Sequence, residues 1–263
     1  MKLTRAPALT AVIAATLASS AITANAATPT PTPTAIQSGA TYVKAWLPPE
    51  LAGPTWNAPA NDPGQCAAHP AATQVNTAGN AQLTTTGKAG DCVTIQSPHK
   101  YPTKPGYIYE TRFYASTMLN WSAWWMYGEP WPDQGEVDAF EPQFGTNYAS
   151  WHSTPCNSSA ASSTQATDPW TYPCKTTVKP SGADITAGWH TLDMAYTTTG
   201  ADIYYDGHLY AHLPETLTAS GTNSMWIDFS EGSCNAGGAG NTCAPSGEGT
   251  PGNVQVAWMR VWT

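Results

Sequence analysis

Glu136, Asp138 and Glu141 place three carboxylates within six residues of a chain in which only 11% of residues are charged. Carboxyl groups at this spacing suit acid–base chemistry on an uncharged polymer, one group attacking or activating while another delivers and recovers a proton. On a strand the side chains alternate, so Glu136 and Asp138 share one face and Val137 takes the other. Glu141 lies an odd number of residues from both and would point away. One extra residue, a β-bulge, returns it to their side, and bulges re-aim side chains in this way beside active sites. Val137 and Phe140 are then left for the core. A solvated polar strand face without function is the plainer alternative.

The elements that must position these groups read as strands. Short β-favouring runs separated by Gly, Pro, Asn and Asp dominate, and helical periodicity is almost absent. The expected strands are Ala81 to Thr86, Cys92 to Ser97, Tyr107 to Ala115, Ser122 to Tyr127, the carboxylate strand, Tyr148 to Ser153 and Trp189 to Thr197. Asp202 to Tyr205 and His208 to His212 flank Asp206-Gly207, a pair suited to a two-residue hairpin turn. Met225 to Phe229 and Val254 to Trp262 complete the set. In the last run, Val254, Val256, Trp258, Arg260 and Trp262 alternate with Gln255, Ala257, Met259 and Val261, and neither set is polar enough to face water alone. An all-β jelly roll of two packed antiparallel sheets is expected.

At the N-terminus, Lys2 and Arg5 precede an apolar stretch from Ala8 to Ala21, and Ala24-Asn25-Ala26 supplies a small-x-small cleavage site. Residues 1–26 therefore read as a secretory signal peptide, too short and too broken by Ser and Thr to span a membrane. Residues 27–40 read as a Thr/Pro-rich spacer and 41–263 as one catalytic domain. The formal charge of −8 becomes about −10 once Lys2 and Arg5 are removed, which disfavours nucleic acid and anionic polysaccharide as partners. Six cysteines suit an oxidising destination. The cheapest pairing joins sequence neighbours, Cys66-Cys92, Cys156-Cys174 and Cys234-Cys243, although sequence leaves the other pairings open. No CxxC spacing points to a metal, and His208 and His212, at even spacing on one strand, lack a third ligand. GxSxG and P-loop patterns are absent.

Five stretches resemble the family-16 glycoside hydrolases, the group of laminarinases, lichenases, agarases and κ-carrageenases. Tyr107-Ile108-Tyr109-Glu110-Thr111-Arg112 is similar to the family strand "GxxEaR", and Trp121-Ser122-Ala123-Trp124-Trp125-Met126 to "WPAFW". The run from Trp131 to Glu141 resembles "WPxxGEIDIxE", the bulged form of the catalytic signature. Gly188-Trp189-His190-Thr191 with Tyr204-Tyr205-Asp206-Gly207 resembles a hairpin, and Trp258 to Trp262 the closing strand. The resemblance spans roughly Thr41 to Thr263 and implies a concanavalin-like jelly roll with a substrate cleft on its concave face.

It further implies Glu136 as nucleophile, Glu141 as acid/base and Asp138 as the helper between them. A retaining glycosidase needs its two carboxyl groups about 5–5.5 Å apart. It also needs the acid/base pKa raised, so that the group starts protonated. Asp138 is placed to hold the Glu136 rotamer and alter its proton affinity. Trp121, Trp131 and His152 are the substrate-binding candidates, indole offering an apolar face and one N–H donor to a sugar ring. His190 is expected to pack and hydrogen-bond. Trp124 and Trp125 point to opposite faces, so one of them is core.

The sequence departs from the family after the catalytic strand, where Gly145-Thr146 and His152 align loosely. It departs again at Trp226 to Gly232, where Asp228 and Glu231 read as sugar contacts or polar rim. These departures touch substrate identity and leave the reaction intact. The expectation is a secreted, monomeric retaining endo-glycosidase acting on a neutral β-linked polysaccharide without membrane or nucleic-acid partners, β-1,3-glucan first and mixed-linkage β-glucan next. A lectin-like jelly roll without turnover and a transglycosylase are the alternatives. No cofactor is expected; structural calcium occurs in some relatives, with ligands that the sequence does not place.

Overall fold

The computed structural model describes residues 36–56, 73–88, 91–129, 134–143, 146–153, 174–178, 186–214, 224–232 and 251–263. The protein divides into Met1–Pro31 and Thr32–Thr263, and every described residue belongs to the second unit. The signal-peptide residues and Trp131 lie outside the described set, as do Cys66, Cys156, Cys234 and Cys243.

In sequence order the elements are β1 (Tyr42–Trp46), the single turn α1 (Pro48–Leu51), β2 (Thr73–Val75), β3 (Ala81–Thr85), β4 (Cys92–Gln96), β5 (Tyr101–Pro102), β6 (Ile108–Ala115) and β7 (Trp121–Tyr127). They continue as β8 (Glu136–Gln143), β9 (Thr146–Ser153), β10 (Cys174–Val178), β11 (Gly188–Tyr196), β12 (Gly200–Tyr205), β13 (His208–Pro214), β14 (Ser224–Gly232) and β15 (Gly252–Trp262). Every strand expected from the sequence is present. The elements that escaped it are β1, β2, β5, β10 and α1. Most are too short to show a period, and each of these strands leans on one neighbour, as β1 does on β15 and β5 on β14.

Two antiparallel sheets result. The first runs β13-β12-β11-β6-β15-β3-β2, with β1 added against β15; the second runs β10-β9-β8-β7-β14-β4, with β5 beside β14. Their inner faces meet in one core, where Phe113 of the first sheet contacts Phe140 and Phe229 of the second at 4.9 and 6.3 Å between ring centroids. Trp124 stacks on Phe229 from the same side. Aromatic pairs of this kind add about 0.5–1.5 kcal/mol each beyond the area they bury. Asp206 and Gly207 both adopt positive φ between β12 and β13, as the two-residue turn requires.

Strict alternation does not hold along β15. The register against β6 slips between Val256 and Trp258. Val254, Val256, Met259 and Val261 therefore face the core while Trp258, Arg260 and Trp262 face outward. The expected single face from Val254 to Trp262 is corrected by this bulge at Ala257. A second slip, between Ile203 and Tyr204 of β12, makes Tyr210 the extra residue of β13. It breaks the even spacing of His208 and His212, and His212 instead pairs with Asp202 at 2.6 Å. No cluster of three metal-ligating side chains occurs among the described residues.

Packing begins ahead of Thr41. Ile36 and Ala40 lie against Ile108, Ala195 and Trp262, and the fully buried Gln37 donates to Asp193 at 2.7 Å. No described cysteine is a free thiol, and Cys92, buried at the start of β4, is disulfide-bonded. No described helix is long and apolar enough to cross a membrane.

Glu231 is not a rim residue. It is fully buried, accepting from Asn120 Nδ2 at 2.8 Å and Ser122 Oγ at 2.6 Å. Burial outweighs these donors and pushes its carboxyl up from 4.5 to about 7. The native state thus holds a proton that the unfolded polypeptide releases between pH 4.5 and 7. The stability this group contributes is present below pH 4.5 and lost as pH rises to 7, about 3 kcal/mol in all. Asp193, raised to about 8 by burial and by the neighbouring Glu110, adds a slope of the same sign. Glu231→Gln removes only its own share, so the fall in melting temperature between pH 4.5 and 7 becomes shallower by several degrees, as calorimetry across that window will show; an unchanged slope would contradict the buried-acid account.

Candidate active site

The carboxylate strand is bulged. Against β7, Trp125 pairs with Asp138 and Trp124 with Phe140; against β9, Asp138 pairs with Ser150 and Glu141 with Tyr148. The β7 register makes Ala139 the extra residue, and the β9 register carries the same one-residue excess between Asp138 and Glu141. Val137, Ala139 and Phe140 consequently all enter the core, at 0%, 0% and 1% exposure. Glu136, Asp138 and Glu141 are left on the opposite face of the sheet, with Glu136 half-buried and Asp138 and Glu141 at 3% and 8%. The odd spacing that excluded Glu141 from a regular strand is cancelled by this one residue.

The approach to Glu136 is set by Gly135. Its φ of 82° lies in the left-handed region, and a Cβ there would overlap the Trp151 indole. The Gly128 N–H donates to the Gly135 carbonyl at 2.9 Å, joining the ends of β7 and β8 beside the carboxylates. Glycine is required here twice, by backbone conformation and by contact.

Trp121 and Glu141 meet directly. The indole N–H donates to Glu141 Oε1 at 3.0 Å, and Trp121 is only 5% exposed. Trp121 therefore holds a carboxylate, and little of its ring face is open for a sugar. Glu141 Oε2 is buried with no hydrogen-bond partner among the described residues. The Glu141 backbone N–H donates to Asn147 Oδ1 at 2.8 Å.

The same face continues across the sheet. Trp125 stacks on Tyr127 at 5.2 Å, its indole donates to Ser230 Oγ at 3.0 Å, and Ser230 bonds Thr94 at 2.9 Å. Gln96 donates to Tyr127 Oη at 2.7 Å. Asp228, fully buried, is cross-strand from Trp125. Trp226 packs half-buried on Ala123, Trp125 and Tyr127, with Lys100 Nζ 5.9 Å from its ring centre. Trp125 is thus the site-facing member of the tryptophan pair, and Trp124 the core member.

His152 stands opposite Glu136 on β9 by register; its side chain, like the whole of Trp131, is outside the described set. His190 does not reach the carboxylates. It bonds Asp206 at 2.7 Å and packs on Tyr205, holding the β12–β13 turn. Sequence reasoning missed Asn147 and Trp226. Trp226 was detectable, since it alternates with Asp228 and Ser230 on one face, whereas Asn147 carried no signal in a stretch that aligns loosely.

Comparison with known proteins agrees with this geometry. A family model described as the XgeA-like catalytic GH16 domain matches residues 57–211, more than half of the sequence and the whole carboxylate strand. The chain belongs to family 16 of the glycoside hydrolases. No curated protein matches it in sequence. Among solved structures it is similar to SCLam, a non-specific endo-β-1,3(4)-glucanase from family GH16, with 18% identity, a TM-score of 0.59, and coverage of 88% of this protein and 94% of that one. It is similar to a β-1,3-glucanase from Mycobacterium marinum (18%, 0.52, 74% and 79%). It is also similar to an immunostimulatory antigen and pseudo-β-1,3-glucanase of Mycobacterium tuberculosis (16%, 0.51, 73% and 78%). At these identities the structural likeness establishes the jelly-roll fold.

Gly135→Ala should cost about 2–5 kcal/mol of stability in denaturant unfolding, the sum of a left-handed alanine and an overpacked indole. Adding Trp151→Leu should recover part of it; no recovery would mean that Trp151 is not the obstacle.

Proposed function

We propose that the protein is a retaining endo-glycosidase that cuts internal β-linkages of a neutral polysaccharide by double displacement. The observation that carries this is the register slip at Ala139, which leaves Glu136, Asp138 and Glu141 on one face while Val137, Ala139 and Phe140 fill the core.

In the first step Glu136 attacks the anomeric carbon as Glu141 gives its proton to the departing glycosidic oxygen, forming a glycosyl-enzyme. In the second step water attacks the anomeric carbon as Glu141 takes its proton, and the bond to Glu136 breaks, releasing the sugar. The Trp121 N–H fixes one oxygen of Glu141. The other is buried without a partner among the described residues, and is the oxygen left to meet a substrate. Asp138 lies between the two on the same face.

The preferred substrate is β-1,3-glucan, with mixed-linkage β-glucan next. Support comes from the bulged signature, the acidic composition, and neighbours described as β-1,3- and β-1,3(4)-glucanases. Sulfated galactans suit a protein with ten Lys and Arg against eighteen Asp and Glu less well. Export by the residue 1–26 leader, a Thr/Pro spacer, a monomeric state without membrane attachment, and disulfides Cys66-Cys92, Cys156-Cys174 and Cys234-Cys243 belong to the same proposal. So does sugar binding by Trp131 and His152, whereas Trp121, expected to bind sugar, is occupied with Glu141. Binding without turnover is the second reading, because one similar structure is described as a pseudo-glucanase; the intact carboxylate triplet favours catalysis.

Reducing-sugar release from a panel of β-glucans and galactans tests this directly. Release from a β-glucan that Glu136→Gln abolishes is expected, and binding of a polymer without release would favour the second reading. Azide should rescue Glu136→Ala and Glu141→Ala with opposite anomeric configuration in the products; the same configuration from both would overturn the role assignment.

A further inference from the structure

We infer that Asn147 and Tyr210 are positioning residues that aim the Glu141 carboxyl, an inference that rests on the acid/base role proposed above. The bulge at Ala139 disturbs the β8–β9 ladder just before Glu141, and Pro142 follows with no N–H to contribute. The Glu141 N–H is taken by a side-chain oxygen, Asn147 Oδ1, at 2.8 Å. Asn147 is 3% exposed, and accepting at Oδ1 fixes which way its amide is turned. Its Nδ2 then donates to Tyr210 Oη at 3.1 Å, and Tyr210 Oη donates to the backbone carbonyl of Asn147 at 3.1 Å. Each polar atom in this exchange has a partner of the right sense.

Tyr210 reaches Asn147 because it is itself the extra residue of a bulge, in β13 at the edge of the opposite sheet. Its ring packs on Tyr205 at 5.7 Å, and Tyr205 stacks on Phe140 at 6.4 Å. Phe140 is the core residue that the catalytic bulge turns inward. A closed circuit thus runs from Glu141 through Asn147, Tyr210, Tyr205 and Phe140 back to Glu141. The circuit grips the bulge from both sheets. With Trp121 holding Oε1 at 3.0 Å, the carboxyl is fixed at its tip and at its backbone root. Displacing a catalytic group by about 1 Å costs on the order of 100-fold in rate, and here the loss falls on proton delivery alone.

Leaving-group dependence separates this role from a merely structural one. An unactivated sugar needs a proton to depart, whereas 2,4-dinitrophenolate does not. The probes are a laminarin-derived oligosaccharide and a 2,4-dinitrophenyl β-laminaribioside, compared by kcat/KM, which reports glycosyl-enzyme formation. Asn147→Ala and Tyr210→Phe should lose about 10–100-fold on the oligosaccharide and stay within about threefold on the aryl glycoside. Asn147→Asp, which keeps the acceptor oxygen, should recover part of the loss. Equal losses on both probes, or no loss on either, overturn the inference; Tyr210→Phe keeps the ring packing and supplies the answer if Asn147→Ala does not fold. Glu141→Gln serves as the reference. If it loses the aryl glycoside as heavily as the oligosaccharide, or if the unmodified protein cleaves neither probe, the underlying glycosidase reading has failed, and this role fails with it.

Discussion

One extra residue in one strand is the constraint on which the site depends. A regular β8 would send Glu141 into the sandwich and Phe140 out of it, a doubly unfavourable exchange of a carboxyl for an aromatic ring. Inserting Ala139 reverses both placements at once. The bulge costs ladder hydrogen bonds, and the surroundings offset that cost through Phe140 packed on Phe113, the Asn147 amide oxygen on the Glu141 N–H, and Trp121 on its carboxylate. The core and the candidate chemistry are therefore two sides of one strand conformation. A change that relaxed the bulge would disturb both.

The molecule also shows how a carboxylate's surroundings separate structure from chemistry. Glu231 is fully buried yet met by side-chain donors on both oxygens. Glu110 accepts from Trp262 and faces Arg260 on the outer side of the first sheet, beneath the segment that carries Gln37. These groups are enclosed by the protein's own hydrogen bonds. The triplet on β8 differs: Glu136 keeps part of its surface open, and one oxygen of Glu141 has no partner among the described residues. Several buried acids in a sequence this poor in charge do not all signal catalysis. The β8 triplet stands apart from them in sharing one sheet face.

Most of the strand order was legible because β-branched and aromatic runs between Gly, Pro and Asn mark half-buried strands clearly. The bulge in the carboxylate strand was legible too, since three carboxylates at an odd spacing share a face only if the phase shifts. Other bulges were not. Ala257 and Tyr210 shift the phase of β15 and β13 with no marker in their neighbourhood, so the faces of Trp258 and of His208 and His212 could not be read from alternation. Glu231 looked like rim because its donors, Asn120 and Ser122, are more than a hundred residues away in sequence. Asn147 stayed hidden for a related reason, its meaning depending on a tyrosine from the other sheet.

Trapping the covalent intermediate tests the central claim most directly. A 2-deoxy-2-fluoro β-laminaribiosyl fluoride forms the glycosyl-enzyme and slows its hydrolysis, and peptide mass spectrometry then locates the label. The account predicts one sugar on Glu136 and none on Glu141. A label on Glu141 or Asp138, or turnover of glucan with no covalent species at all, would contradict it.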